Sequence, residues 1–135
     1  MGYRFAVVAS ARFDHQTLVR LQEADEIEMR TPRGDGTRSA RPIWVVVVDG
    51  VPYVRSYLGE RGAWYRRAVA EGRVEVGVEG EDLAVNVEPA TGAEALNRSV
   101  SEAYHAKYGR RAPGPTEAMV TAPVVATTLR LSPSS

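Results

Sequence analysis

Alternation of apolar and polar positions dominates this chain. Ile27 and Met29 share one face of a strand over Glu26–Arg30. Val74, Val76 and Val78 alternate, a turn centred on Gly80 follows, and Leu83, Val85 and Val87 alternate again, which predicts a hairpin. Pro42–Val48 is a continuous β-branched and aromatic run, too short for a typical helix, and predicts a strand. Asp49-Gly50 closes it with strong hairpin chemistry, and the return strand runs over Tyr53–Tyr57 with Pro52 at its start. A last alternation through Val125, Thr127, Leu129 and Leu131 predicts the final strand, leaving 132–135 as a frayed tail.

Three stretches follow the helical period instead. Residues 14–24 start at a capping Asp14 and place Leu18 and Leu21 on one side. Residues 63–71 put Trp64 with Ala68 and Tyr65 with Val69, and Gly72 ends the helix. A third helix runs to about Tyr108, with capping-box spacing from Thr91 to Glu94, a buried stripe of Leu96, Val100, Ala103 and Tyr104, and Gly109 as its stop. Pro32–Gly36 and Pro113–Pro115 read as turns. The sum is an α+β, mainly β, domain of about six antiparallel strands and three short helices, which closes most economically as a small barrel.

The length, 135 residues, fits a single domain spanning 1–135, with no internal repeat or linker. The absence of cysteine excludes disulfides, thiolate metal sites and thiol nucleophiles. No run approaches the ~20 apolar residues of a membrane helix, and the opening Phe5–Ala9 run is too short for a signal peptide, so a cytoplasmic protein is expected, with no membrane partner. Seventeen basic residues balance seventeen acidic ones, which argues against nucleic acid as a partner. There is no phosphate-binding loop, dinucleotide fingerprint or nucleophile elbow. His15 and His105 fall in different helices without ligand spacing, so no metal is expected.

Charge does change the picture locally. All basic residues except Lys107 are arginines, and residues 30–73 hold nine of them against four acids. The same stretch carries both tryptophans, Trp44 and Trp64, with Tyr53, Tyr57 and Tyr65. Guanidinium groups and a helix start suit a phosphate, and flat apolar side chains suit a ring, so the mixture fits an anionic aromatic ligand. Trp44 begins an apolar strand and reads as core first and ligand platform second.

Thr31-Pro32-Arg33-Gly34-Asp35-Gly36-Thr37-Arg38-Ser39, Arg41-Pro42-Ile43-Trp44, Tyr53-Val54-Arg55-Ser56-Tyr57 and Gly62-Ala63-Trp64-Tyr65-Arg66-Arg67 together resemble an uncharacterised bacterial family of small proteins. Ala103–Gly109 and Ala126–Leu131 extend the resemblance over most of residues 26–131. Its element order is similar to that of the deazaflavin-dependent nitroreductases, within the wider group typified by pyridoxamine phosphate oxidase. The resemblance implies a six-stranded antiparallel split β-barrel, a homodimer, and FMN or a deazaflavin at the subunit interface. It implies cofactor contacts from Arg33, Arg38 and Ser39 on the phosphate side, from Arg55 and Ser56 on a strand, and from Trp64, Tyr65 and Arg66 at a helix start, with Trp44 nearby. Tyr57 and Leu58 stand where the nitroreductases have a small-residue loop ending in Gly-Gly. Residues 1–12 lie outside the resemblance and read as a disordered start.

Two functions are expected from different classes. One is an oxidoreductase passing hydride from a flavin or deazaflavin to a small organic acceptor, with Tyr57 or Tyr65 as the proton or hydrogen-bond donor. The other is a carrier or sensor that holds an anionic small molecule in the same pocket without turnover. No acid–base pair in the sequence selects between them.

Overall fold

In chain order the elements are α1 (His15–Glu23), β1 (Ile27–Pro32), β2 (Arg38–Ile43), β3 (Val46–Val48), β4 (Val51–Val54), a 3-10 turn (Gly59–Arg61), α2 (Ala63–Glu71), β5 (Arg73–Val78), β6 (Glu81–Pro89), α3 (Glu94–Tyr108), α4 (Pro113–Met119), α5 (Ala122–Val125) and β7 (Leu129–Pro133). They are seen in a computed structural model that describes residues 11–90 and 92–134. Among the described residues there are thus seven strands and five helices, where the sequence pattern predicts six and three.

All strands join one antiparallel sheet in the order β2-β1-β5-β6-β7-β4-β3. Its two edge strands are consecutive in sequence, with only Trp44 and Val45 between them. A chain this short reaches roughly 10 Å from Ile43 to Val46, so the edges must meet there and the sheet must curl into a half-barrel. The expected single strand Pro42–Val48 is therefore two strands on opposite edges.

That crossing is held from outside by the end of α3. The Tyr108 hydroxyl accepts from the Val45 N–H (3.2 Å) and donates to the Asp25 carbonyl (2.9 Å). Lys107 Nζ donates to the carbonyls of Val45 (2.7 Å) and Leu21 (3.0 Å). The Trp44 indole lies flat on the Tyr108 ring, with centroids 4.0 Å apart and planes 3° apart.

Two cores result. Ile27, Met29, Val45, Val54, Val76, Val85, Leu129 and Leu131 fill the barrel, with Leu21 and Ala68 from α1 and α2. Val46, Tyr53, Val100, Tyr104, Tyr108, Met119 and Val124 pack outside β3–β4, against α3, α4 and α5. The β3–β4 pair is buried on both faces, which is why its sequence shows no alternation.

The turns follow their chemistry. Asp49 and Gly50 have φ of 50° and 75°, the two positive values a two-residue hairpin of type I′ needs, and Val48 pairs with Val51 across them. Asp14 caps α1 by accepting from Thr17 N–H at 2.8 Å, and Gly72 ends α2 at φ 72°.

Several boundaries differ from expectation. Strand β4 begins at Val51 and stops at Val54, so Tyr57 lies beyond it. Pro113 is the first residue of α4, because a proline missing its N–H is tolerated where the helix has no acceptor for one. Val125 closes α5, and Thr127 turns back to donate its hydroxyl to the Val124 carbonyl (2.6 Å), so β7 starts only at Leu129. Ser132 and Pro133, expected in a frayed tail, pair with Asn86 and Val85. Helix α3 starts at Glu94 after Ala93, with no side-chain cap; Thr91, the expected cap, lies outside the described residues. Of the start expected to be disordered, only Ala11 and Arg12 are described, and the Arg12 guanidinium donates to the Asp49 carbonyl at 2.9 Å.

The α3 end also sets a pH dependence. Burial pushes the Lys107 ammonium down to about 8 and the Tyr108 hydroxyl up to about 12. Below pH 8 the lysine is charged in both states and its burial cost is fully present. Between about pH 8 and its ordinary value the unfolded chain binds the proton that the folded chain has released, so stability rises with pH. Above about pH 10 the unfolded tyrosines ionise while Tyr108 stays protonated, and stability falls. Urea unfolding at about pH 8 and about pH 10 should show this rise in the wild type and a flatter profile in Lys107→Met.

Candidate functional site

A cleft of about 520 Å³ opens at the end of the barrel where the sheet edges meet. One wall is the end of β2 and the crossing, Arg41 to Trp44; another is the segment after β4, Arg55 to Leu58. The start of α2, Gly62 to Trp64, closes a third side, and Pro115 and Met119 of α4 a fourth. Its volume is in the usual range for small-molecule pockets, and its lining combines indoles and aliphatic groups with few polar ones. Among the described residues no helix is long and apolar enough to cross a membrane.

Arg55 is the one charged side chain buried among the described residues, 1% exposed. Its Nε donates to Thr128 Oγ1 (2.9 Å), Nη1 to Ser101 Oγ (2.9 Å) and to the Met119 carbonyl (3.1 Å), and Nη2 to the Asn97 carbonyl (3.0 Å). The guanidinium also stands 5.5 Å from the Tyr104 ring centroid. Every partner is neutral, and burial depresses the pKa of the group. Ser56, next in the chain, is equally buried; its N–H donates to Thr127 Oγ1 at 2.9 Å, while its own hydroxyl has no partner among the described residues.

Helix α2 follows Gly62 without a side-chain cap and without an acid in its first turn. Its first backbone bond runs from Arg66 N–H to the Gly62 carbonyl (3.1 Å), so the N–H groups of Ala63, Trp64 and Tyr65 have no partner within the helix. Gly62 has an ordinary φ of −60°; glycine is needed there for space, because a Cβ would run into Ser56 Oγ.

The structure brings Trp44, Arg55, Ser56, Tyr57 and Trp64 to one cleft. Tyr57 and Leu58 sit at its mouth with 59% and 60% of their surface exposed. Tyr65 is next to the cleft but packs against the barrel core, edge-on to Trp64 at 6.2 Å, and burial raises its hydroxyl pKa. Arg66 is exposed on α2 outside the lining.

Arg33, Arg38 and Ser39 lie at the far end of the β1–β2 hairpin and do not line the cleft. Arg33 Nη1 donates to Thr37 Oγ1 (3.3 Å), and Arg38 pairs with Glu75 at 2.9 Å beside the Arg30–Glu75–Asp82 cluster. Ser39 is buried opposite Thr31. Met119 and Pro115 are lining residues that the sequence reading missed; Pro113 at a helix start was the available signal.

No curated protein matches this sequence. Among solved structures, the heme storage protein HutZ from Vibrio cholerae superposes with a TM-score of 0.65 at 13% identity, covering 92% of each chain. A FAD-binding protein from Mesorhizobium loti gives 0.56 at 15% identity over 91% of each chain. A NimC/NimA family protein from Clostridium acetobutylicum gives 0.57 at 17% identity, over 88% of this chain and 80% of that one. At these identities the likeness shows the fold alone, and the fold is that of the split-barrel proteins. At the level of sequence, residues 17–131 match the family described as "Uncharacterized protein conserved in bacteria (DUF2255)", and the chain belongs to that family.

Proposed function

We propose that the cleft binds a flavin-type cofactor, FMN, FAD or a deazaflavin, and that the protein is an oxidoreductase acting on a small organic acceptor. The observation that carries this reading is the joint placement of Trp44 and Trp64 on one cleft of ring-binding size. A FAD-binding protein among the split-barrel neighbours supports it. The residues present fit such a group: two indoles offer apolar contact to a ring system, and the buried Ser56 hydroxyl lacks a partner among the described residues. The bound flavin supplies hydride transfer. Trp44 and Trp64 hold and orient the ring, the α4 residues Pro115 and Met119 exclude water, and Tyr57 at the mouth donates a hydrogen bond to the acceptor. The resemblance in element order to the deazaflavin-dependent nitroreductases, read from the sequence, points to the same class.

A second reading, a carrier that binds without turnover, is favoured by the lining itself. Its titratable groups among the described residues are Glu26, Arg41, Arg55 and Tyr57, which do not form an acid–base pair. The heme storage neighbour makes hemin the probe for this reading.

Thermal melts of dialysed protein with FMN, FAD, deazaflavin and hemin test both. A ligand at 100 times its dissociation constant should add about 2.7 kcal/mol to the folded state. Stabilisation by a flavin, with turnover of a nitro or quinone acceptor, supports the enzyme; stabilisation by hemin alone supports the carrier. Melts at two protein concentrations also read the homodimer, which would cover Tyr57 and Leu58 and would make the midpoint concentration-dependent.

A further inference from the structure

The charged half of the cleft is built almost wholly from donors. Arg55 presents five N–H groups and uses four, so one on Nη2 has no partner among the described residues. Ser56 Oγ is buried without a partner among the described residues. The N–H groups of Ala63, Trp64 and Tyr65 stand at the uncapped, positive end of α2, and Gly62, Ala63 and Trp64 line the cleft. The glycine at Gly62 is what lets the Ser56 hydroxyl lie against that helix end.

Arg55 also lacks a counter-ion among the described residues. Arg20, Arg30, Arg38, Arg111 and Arg130 each pair with a carboxylate, yet all are more exposed than Arg55, whose partners are all neutral. A buried guanidinium without a carboxylate is costly, and a ligand that brings the missing negative charge recovers that cost. Glu26, the only carboxylate on the lining among the described residues, is exposed.

We infer that Arg55, Ser56 and the first-turn amides of α2 form an oxyanion site that takes the phosphate monoester of the ligand. The donors outnumber what the two oxygens of a carboxylate take and suit the three terminal oxygens of a phosphate. This inference rests on the cleft being the ligand site, but not on the ring being a flavin. It also moves the phosphate away from Arg33, Arg38 and Ser39, which the structure places at the other end of the hairpin.

The test is amide NMR of the wild type and of Ser56→Ala, titrated with inorganic phosphate against chloride at matched ionic strength, then with FMN and riboflavin. Ser56 Oγ bonds nothing among the described residues, so Ser56→Ala should melt as the wild type does without ligand. Phosphate should shift the Ala63, Trp64 and Tyr65 amides saturably, about tenfold more weakly in Ser56→Ala, and FMN should bind tighter than riboflavin. Unmoved amides at saturating phosphate, or equal affinity in the two proteins, overturn the oxyanion site. Equal binding of FMN and riboflavin without a phosphate effect overturns it while leaving the flavin reading standing. Phosphate binding without FMN binding upholds it and removes the flavin.

Discussion

Arg55→Ala should lower the unfolding free energy by about 4 kcal/mol, a large share of the stability of a domain this size. The side chain is 1% exposed and joins three parts of the fold: α3 through Asn97 and Ser101, the end of α4 through Met119, and the turn into β7 through Thr128. Truncation leaves the carbonyls of Asn97 and Met119 without this donor and opens a cavity beside Tyr104. Arg55→Lys should recover only part of the loss, because an ammonium has its three donors on one atom and cannot span acceptors arranged around a planar fork. Urea unfolding checks this: the midpoint should fall with an unchanged slope, further in the alanine than in the lysine variant. A wild-type midpoint in Arg55→Ala would mean that the guanidinium's four bonds contribute nothing net.

Trp44→Ala should cost about 2–3 kcal/mol and weaken ring binding by about tenfold or more. The indole is half-buried, stacks flat on Tyr108 and at the same time lines the cleft. Tyr108 is the residue that ties Val45 to Asp25, so the loss is felt at the crossing that closes the barrel. Trp44→Phe keeps a stack and should keep most of the stability. The contrast between the two variants, read in urea unfolding and in ligand titration, separates support of the crossing from contact with the ligand.

Much of the fold was legible wherever one rule governed one segment. Asp49-Gly50 and the Gly80 turn announced their hairpins because positive φ is demanded there and few residues supply it. The split between β2 and β3 was hidden, because Val45 faces the barrel and Val46 the outer core, so burial erased the alternation that would have marked a break. The α4 helix was hidden by Pro113 and Pro115, which the sequence offers equally to a turn and to a first helical turn. For the cleft, Trp44, Arg55, Ser56 and Trp64 were found because the arginine- and aromatic-rich stretch and the resemblance both fall on segments that line it. Arg38 and Ser39 were grouped with them, as was Arg33, because the resemblance assigns all three to the phosphate side of the cofactor; on the strand Arg38 and Ser39 stand three and two residues before Arg41. At roughly 3.3 Å per strand residue, that separation is enough to carry Arg38 to the opposite end of β2 and onto Glu75.

The central claim is that the cleft beside Trp44 and Trp64 holds a flavin-type ring, and intrinsic fluorescence tests it most directly. The chain has two tryptophans and both line that cleft. Titration with FMN, FAD and a deazaflavin should quench their emission saturably, at one ligand per chain, for at least one of the three. Emission that changes only by linear absorption of the added ligand, with all three, would contradict the claim.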